Sequence, residues 1–157
     1  MRSVFPGFPA EGLQFMRGLA RNNNRDWFLP RKSLFEEKVK QPMRELVEAV
    51  NGAMKSFAPE YISDPDKAVF RIYRDTRFSK DKAPYKTVVG MSFGHDAGKE
   101  VAAPGLYLQL EPGTSWAGGG AYHLETGALN LVRDAIVARS GDYAKVTSAP
   151  ALAREAP

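Results

Sequence analysis

The spacing of apolar residues changes from a helical period to a strand period between residues 57 and 69, and this change limits the possible folds. From Ser33 to Phe57 apolar residues recur every three or four positions, as on one face of an amphipathic helix. From Val69 onward they alternate with polar residues, as in strands with one buried face. Helices followed by closely spaced strands predict an α+β fold, with an antiparallel sheet packed against helices.

Three segments have helical periodicity. The first spans residues 10–21 and is expected to end at the asparagines that follow it. The second spans residues 33–57, where Pro42 is expected to kink the helix or divide it in two. The last spans residues 126–139, with Ser140 and Gly141 as its predicted stop.

About four strands are predicted, joined as an antiparallel meander. They cover residues 69–78, 85–93, 105–111 and 115–122. On the first strand, strict alternation assigns Phe70, Ile72 and Arg74 to one face and Arg71, Tyr73, Asp75 and Arg77 to the other. On the second strand it assigns Tyr85, Thr87, Val89, Met91 and Phe93 to a common face. The fold class predicted is therefore α+β, with an antiparallel sheet packed against N-terminal helices and a C-terminal helix.

The chain has 157 residues, of which 43% are hydrophobic and 25% charged, a composition typical of a folded domain of ordinary size. A single domain is predicted over residues 1–146, followed by a tail, residues 147–157, that lacks periodicity and is expected to be disordered.

No cysteine is present, which excludes disulfides and thiolate metal sites and suits a reducing compartment. The N-terminus lacks the continuous apolar segment of a secretory signal, and no run approaches the ~20 apolar residues of a membrane span. We therefore expect a soluble, cytoplasmic protein with no membrane partner.

Positive charge is concentrated between residues 67 and 86. This segment has a net charge of +5, whereas the whole chain has +4. Its cations are Lys67, Arg71, Arg74, Arg77, Lys80, Lys82 and Lys86, and its only carboxylates are Asp75 and Asp81. An excess that neighbouring carboxylates do not neutralise indicates an anionic partner.

The candidate site residues come from this segment. Arginine guanidinium groups match the oxygen atoms of phosphate and carboxylate, and lysines in a loop supply mobile point charges. The predicted ligand-binding residues are Arg71, Arg74, Arg77, Lys82, Tyr85 and Lys86, with Lys80 as a further loop cation. Asp75 is the candidate catalytic acid or base, and Tyr85 is a candidate hydrogen-bond donor. An enzyme or binding protein for a phosphorylated or other anionic small molecule would use these groups.

Two other interpretations remain open. The segment would also suit a single-stranded nucleic-acid-binding module in which Tyr73, Tyr85 or Trp27 stacks on bases, although core packing is favoured for Trp27. Alternatively, Asp75 holds Arg71 and Arg77 in a structural network, with Pro84 fixing the turn and no ligand bound.

Other patterns predict no cofactor and no metal site. The chain has only two histidines, in His95-Asp96 and His123-x-Glu125, and they are far apart in sequence. Gly118, Gly119 and Gly120 lack the spacing of a nucleotide-binding fingerprint and favour a bend or bulge in a strand.

The basic run also carries a recognisable signature, R-x-x-R-D-x-R-F-x-x-x-K-x-P-Y-K. The signature positions are Arg71, Arg74, Asp75, Arg77, Phe78, Lys82, Pro84, Tyr85 and Lys86. With NNNRDWF at residues 22–28, GLYLQLEP and GGGAYH, the run resembles the mainly bacterial family known as domain of unknown function 2461. The resemblance covers about residues 5–146 and implies no particular reaction. Members of that family tend to extend further, so the resemblance also leads us to expect that a C-terminal portion is missing.

Overall fold

The computed structural model describes residues 5–96, 103–122 and 124–150, and the chain divides into two compact units, Met1–Gly120 and Ala121–Pro157. The first unit contains helices followed by a sheet. Its helices are α1 (Ala10–Arg21), α2 (Arg25–Phe28), α3 (Lys32–Phe35), α4 (Gln41–Met54) and α5 (Pro65–Ala68). Its strands are β1 (Val89–Phe93), β2 (Gly105–Leu110) and β3 (Trp116–Gly120), which form an antiparallel sheet in the order β1-β2-β3. The mixed helix and sheet class is confirmed.

The predicted division of the second helix at Pro42 is also confirmed. A π-helical turn, Glu36–Lys40, separates α3 from α4. Pro42 has no backbone N–H, so the carbonyl of Lys38, four residues earlier, lacks its usual helical donor. Gly12 of α1 lies directly against this carbonyl, because a Cβ atom at position 12 would be 2.1 Å from the Lys38 oxygen. Glycine therefore permits α1 to approach the modified turn closely.

The core of the first unit lies between the helices and one face of the sheet. Phe15, Phe28 and Phe35 form an aromatic cluster with ring centroids 5.7–5.9 Å apart. From the sheet side, Val89 and Met91 are buried against this layer together with further residues of the core. Of the common face predicted for the second strand, Tyr85, Val89, Met91 and Phe93 are buried, whereas Thr87 is half-buried at a bend, and the strand itself begins only at Val89.

The prediction of a strand over residues 69–78 is wrong. This segment forms two isolated antiparallel bridges, Val69 with Met91 and Tyr73 with Tyr85. Four residue steps separate Val69 from Tyr73, whereas six separate Tyr85 from Met91. The second segment accommodates its two extra residues through bends at Thr87 and Val88, which interrupt the ladder. The sheet consequently has three strands within the described residues instead of about four.

The second unit contains two helices, α6 (Thr126–Ala138) and α7 (Ser140–Thr147). The predicted end of α6 near Arg139 is confirmed, but a stop at Ser140 and Gly141 is wrong, because both residues belong to α7. None of the described residues of these two helices is buried. Residues 151–157 of the predicted tail lie outside the described part of the chain. No helix among the described residues is long and apolar enough to cross a membrane.

The contact at Gly12 makes a testable prediction about packing. Gly12→Ala should destabilise the protein by about 1–3 kcal/mol, because the new methyl group would overlap the Lys38 carbonyl. Gly52→Ala is the matched control in α4, where a Cβ atom would meet nothing within 4 Å. It should stabilise the helix by about 0.5–1 kcal/mol. Urea denaturation of both variants measures the effect, and equal shifts for the two would contradict the assigned contact.

Candidate functional site

The basic segment, defined here as residues 71–86, begins and ends in a short antiparallel pairing. Around the Tyr73–Tyr85 bridge, the Arg74 N–H donates to the Pro84 carbonyl at 2.9 Å, and the Lys86 N–H donates to the Ile72 carbonyl at 2.7 Å. The residues between these pairs form a loop that returns on itself. The antiparallel pairing predicted between the first two strands is therefore present at this point, although without two regular strands.

Tyr85 anchors this loop to the helices. Its ring is 2% exposed and stacks on Phe28, with ring centroids 4.0 Å apart. The side chain of Asn23 donates to the Tyr85 carbonyl at 2.9 Å and accepts from the Tyr85 N–H at 3.0 Å. Burial raises the pKa of the Tyr85 phenol. The structure thus gives Tyr85 a packing role, and its role as a donor to a ligand stays a prediction.

Asp75 and Arg77 form a two-point ion pair within the loop. Arg77 Nε donates to Asp75 Oδ1 at 3.0 Å, and Arg77 Nη2 donates to Oδ2 at 2.7 Å. These hydrogen bonds, with a further one from the Arg77 backbone N–H, lower the pKa of the Asp75 carboxyl, and the charge of Arg71 contributes less. A lowered pKa is opposite to the shift that acid–base catalysis near neutral pH requires. The catalytic role of Asp75 stays a prediction.

Three further contacts close the loop. Arg74 Nη1 pairs with Asp81 Oδ2, and Asp81 Oδ1 accepts from the Ala83 N–H at 2.9 Å. The Ala83 N–H is the main cause, and Arg74 the second, of a lowered pKa for the Asp81 carboxyl. Lys82 Nζ donates to the Thr76 carbonyl at 2.9 Å, so this lysine connects the two sides of the loop.

The remaining cations are not neutralised by carboxylates. Among the described residues, no ion pair involves Arg71, Lys80, Lys82 or Lys86. Lys86 Nζ instead lies 5.5 Å from the centroid of the Phe70 ring, a cation–π arrangement. The two carboxylates of the segment are engaged by Arg74 and Arg77. The positive charge predicted from the sequence therefore persists at the surface of the folded chain.

The basic segment is open to solvent. The Arg77 side chain is 77% exposed and the Phe78 ring is 95% exposed. A cavity of about 370 Å³ lies elsewhere in the first unit and is almost entirely apolar. Its lining residues are Phe8, Met43, Leu46, Met91, Leu108, Gln109, Leu110, Ser115, Trp116 and Ala117. None of them belongs to the basic segment, so this cavity does not enclose the predicted cations.

Other residues singled out in the sequence have simpler roles. Trp27 packs on α1, where a Cβ atom at Gly18 would lie 2.7 Å from its ring, and core packing of this residue is confirmed. Gly118–Gly120 pair with β2 in regular register, so the bend or bulge predicted there is wrong. The described residues include no cluster of three or more His, Asp or Glu side chains able to hold a metal ion. His123 lies outside the described residues.

Sequence patterns missed several contacts of the site. Phe70 was expected to share a face with Ile72, but Ile72 is buried and Phe70 is 40% exposed, because the interrupted ladder does not preserve strict alternation. The partners Asn23 and Asp81 were also missed. Asp81 lies within the basic run and Asn23 within the NNNRDWF segment. Both segments were noted in the sequence, but nothing in the sequence indicated which residues these two side chains contact.

The match to known proteins agrees with the resemblance carried by the signature. The model of a family described as conserved hypothetical protein (DUF2461) matches residues 11–156. The chain belongs to this family. No curated protein and no solved structure matches it.

The ion pairs make a testable prediction about pH. In the wild type the Asp75 carboxyl should titrate below the ordinary aspartate range, and in Arg77→Gln its pKa should rise toward that range. Because the folded-state pKa is lowered, the pair stabilises the fold above the ordinary aspartate pKa, and this contribution disappears as pH falls through the folded-state value. Carboxyl NMR titration measures both variants.

Asp81 provides the internal control for this titration. Its pKa should stay low in Arg77→Gln, and it should remain partly lowered even in Arg74→Gln, because the Ala83 N–H is retained. An Asp75 pKa that is unchanged by Arg77→Gln would show that the ion pair does not persist in solution.

Proposed function

We propose that the protein binds a phosphate-bearing or otherwise anionic ligand through the exposed cations of the basic segment. The observation that carries this proposal is the charge left after internal pairing. Six cations lie between residues 71 and 86, and the two carboxylates of this segment already pair with Arg74 and Arg77. Four cations, Arg71, Lys80, Lys82 and Lys86, therefore remain in one short stretch without a carboxylate partner there, and they attract anions.

The geometry supports two different roles for the signature residues, one in shaping the loop and one in contacting a ligand. Arg74, Arg77 and Lys82 make contacts that shape the loop, and Tyr85 fixes it to the core. Arg71 and Lys86 make no ion pair among the described residues and are the strongest candidates for direct contact with a ligand. The planar guanidinium of Arg71 suits two oxygens of one phosphate, whereas Lys86 supplies a compact charge.

Exposure favours a binding protein over an enzyme. Catalysis by charge stabilisation depends on a site from which water is excluded, and Arg77 is mostly exposed. An enzymatic form of the proposal would require Asp75 to take up or release a proton while held by Arg77. We therefore propose binding as the primary activity of this segment.

A purely structural role explains less of the arrangement. The two ion pairs are exposed, and such pairs contribute only about 0–1 kcal/mol each. They account for the positions of Arg74 and Arg77 but do not explain why Arg71 and Lys80 are positively charged. Cations that repel one another without a partner do not stabilise a fold, and this favours a ligand.

The binding proposal is tested by removing one unpaired cation. Lys86→Gln should weaken binding of tripolyphosphate about tenfold or more, since a charge-assisted hydrogen bond contributes about 1.5–3 kcal/mol. Lys55→Gln is the matched control, because it removes the same charge at the end of α4, outside the basic segment. Calorimetric titration at low and moderate salt gives both affinities.

Two results would contradict the proposal. One is an absence of binding to tripolyphosphate, nucleotides, sugar phosphates and oligonucleotides at low salt. The other is equal weakening of binding by Lys86→Gln and Lys55→Gln, which would show that affinity depends on the net charge of the protein and not on a site at Lys86. A lower melting temperature for Arg77→Ala with no change in any binding would favour the structural interpretation.

A further inference from the structure

Three aromatic rings form a continuous row across the sheet, on the face opposite the core. The Phe70 and Tyr107 ring centroids are 6.1 Å apart, and those of Tyr107 and Trp116 are 5.0 Å apart. We call these three residues the aromatic platform. Phe70 is 40% exposed and Trp116 is 52% exposed, so the platform is accessible to solvent.

The register of the sheet fixes which face the platform occupies. Tyr107 lies opposite Ser92 on one side and Gly118 on the other, and Trp116 lies opposite Gln109. Residues directly opposite in an antiparallel pair point to the same face. Leu106 and Leu108 alternate with these positions and point to the other face, opposite the buried Phe93 and Met91.

Glycines leave room for the rings of the platform. A Cβ atom at Gly90 would lie 2.6 Å from Tyr107 Oη, and one at Gly118 would lie 2.9 Å from Trp116 Cζ3. The Tyr107 ring can therefore extend over β1 toward Phe70. The Phe70 N–H donates to the Gly90 carbonyl of β1. Side chains at these two positions would push the rings out of the row.

Charge distinguishes the two ends of the platform. At the Phe70 end, Lys86 Nζ lies over the ring, and Arg71 follows in sequence. At the other end, Tyr107 Oη donates to Gln109 Oε1, and Gln109 Nε2 donates to Glu111 Oε2. The rings thus adjoin the basic segment on one side and a carboxylate on the other, so an anionic group would lie near Lys86.

We propose that the aromatic platform stacks the bases of a single-stranded nucleic acid whose phosphates contact Arg71 and Lys86. This inference rests on the proposed anion binding and specifies its ligand. Exposed aromatic rings beside cations are the combination by which proteins bind single strands without sequence preference. Three rings in line offer places for more than one base, which favours a strand over a mononucleotide. A duplex would not expose its base faces to the rings.

The experiment compares a labelled oligothymidylate with an abasic oligomer of equal length, by fluorescence anisotropy at low salt. The wild type should bind the oligothymidylate more tightly, because only that strand carries bases. Trp116→Leu and Phe70→Leu should each weaken its binding roughly 5- to 150-fold while leaving the abasic oligomer unaffected. Phe57→Leu, which changes an exposed ring elsewhere, should alter neither affinity. Lys86→Gln should weaken both.

A second readout does not depend on removing a platform residue. The chain has two tryptophans, so Trp27→Phe leaves Trp116 as the only one. Oligothymidylate should quench the fluorescence of this variant, and the abasic oligomer should not. Gly118→Ala, which crowds the Trp116 ring at an exposed strand, should reduce the quenching.

The outcomes separate this inference from the proposal on which it rests. Equal affinity for the two oligomers, with no effect of Trp116→Leu and no quenching, would overturn the platform while leaving anion binding intact. An absence of binding to either oligomer, with tripolyphosphate still bound, would also overturn it. If tripolyphosphate fails as well, both the platform and the proposed function are wrong.

Discussion

The contact of Tyr85 with Phe28 and Asn23 holds the basic segment against the helical core. The Tyr85 ring stacks on Phe28 with ring centroids 4.0 Å apart. The backbone N–H and carbonyl of Tyr85 are both hydrogen-bonded to the Asn23 side chain. Asn23 immediately precedes Asn24, whose side chain caps α2 by accepting from the Trp27 N–H. The same short turn therefore ends α1, starts α2 and positions the loop that carries the charge.

This anchoring explains how so much like charge is tolerated in one stretch. Ile72 and Tyr85 are buried, whereas the neighbouring Arg71 is exposed and Lys86 is half-buried. Exposed charges avoid the large desolvation penalty that buried ions incur. The loop can thus remain folded and positive, with Arg74 and Arg77 using the available carboxylates to fix its path.

The limits of sequence-based prediction can be seen residue by residue. Alternation correctly grouped Tyr85 with Val89, Met91 and Phe93, because three of these four residues lie in one regular strand. It failed for Phe70, where bends in the partner segment break the ladder and the period-two rule loses its physical basis. The position of the positive charge was predicted correctly because the charged residues are close to one another in the sequence. The bond between Asn23 and Tyr85 joins residues 62 positions apart, and no local pattern specifies such a pair.

Phe78 is the signature residue that packing explains least. Its side chain is 95% exposed at the loop, and within the described part of the chain its ring contacts the Arg77 guanidinium, whose Cζ lies 5.8 Å from the ring centroid. Asp75 holds that guanidinium in place, so the ring stands beside a fixed cation. Exposing a large apolar side chain gains nothing from the hydrophobic effect, and a substitution by a polar residue would cost the fold little. The same pairing of ring and cation occurs at Phe70 and Lys86, so an aromatic face and a positive charge occur together within the basic segment and again where it ends.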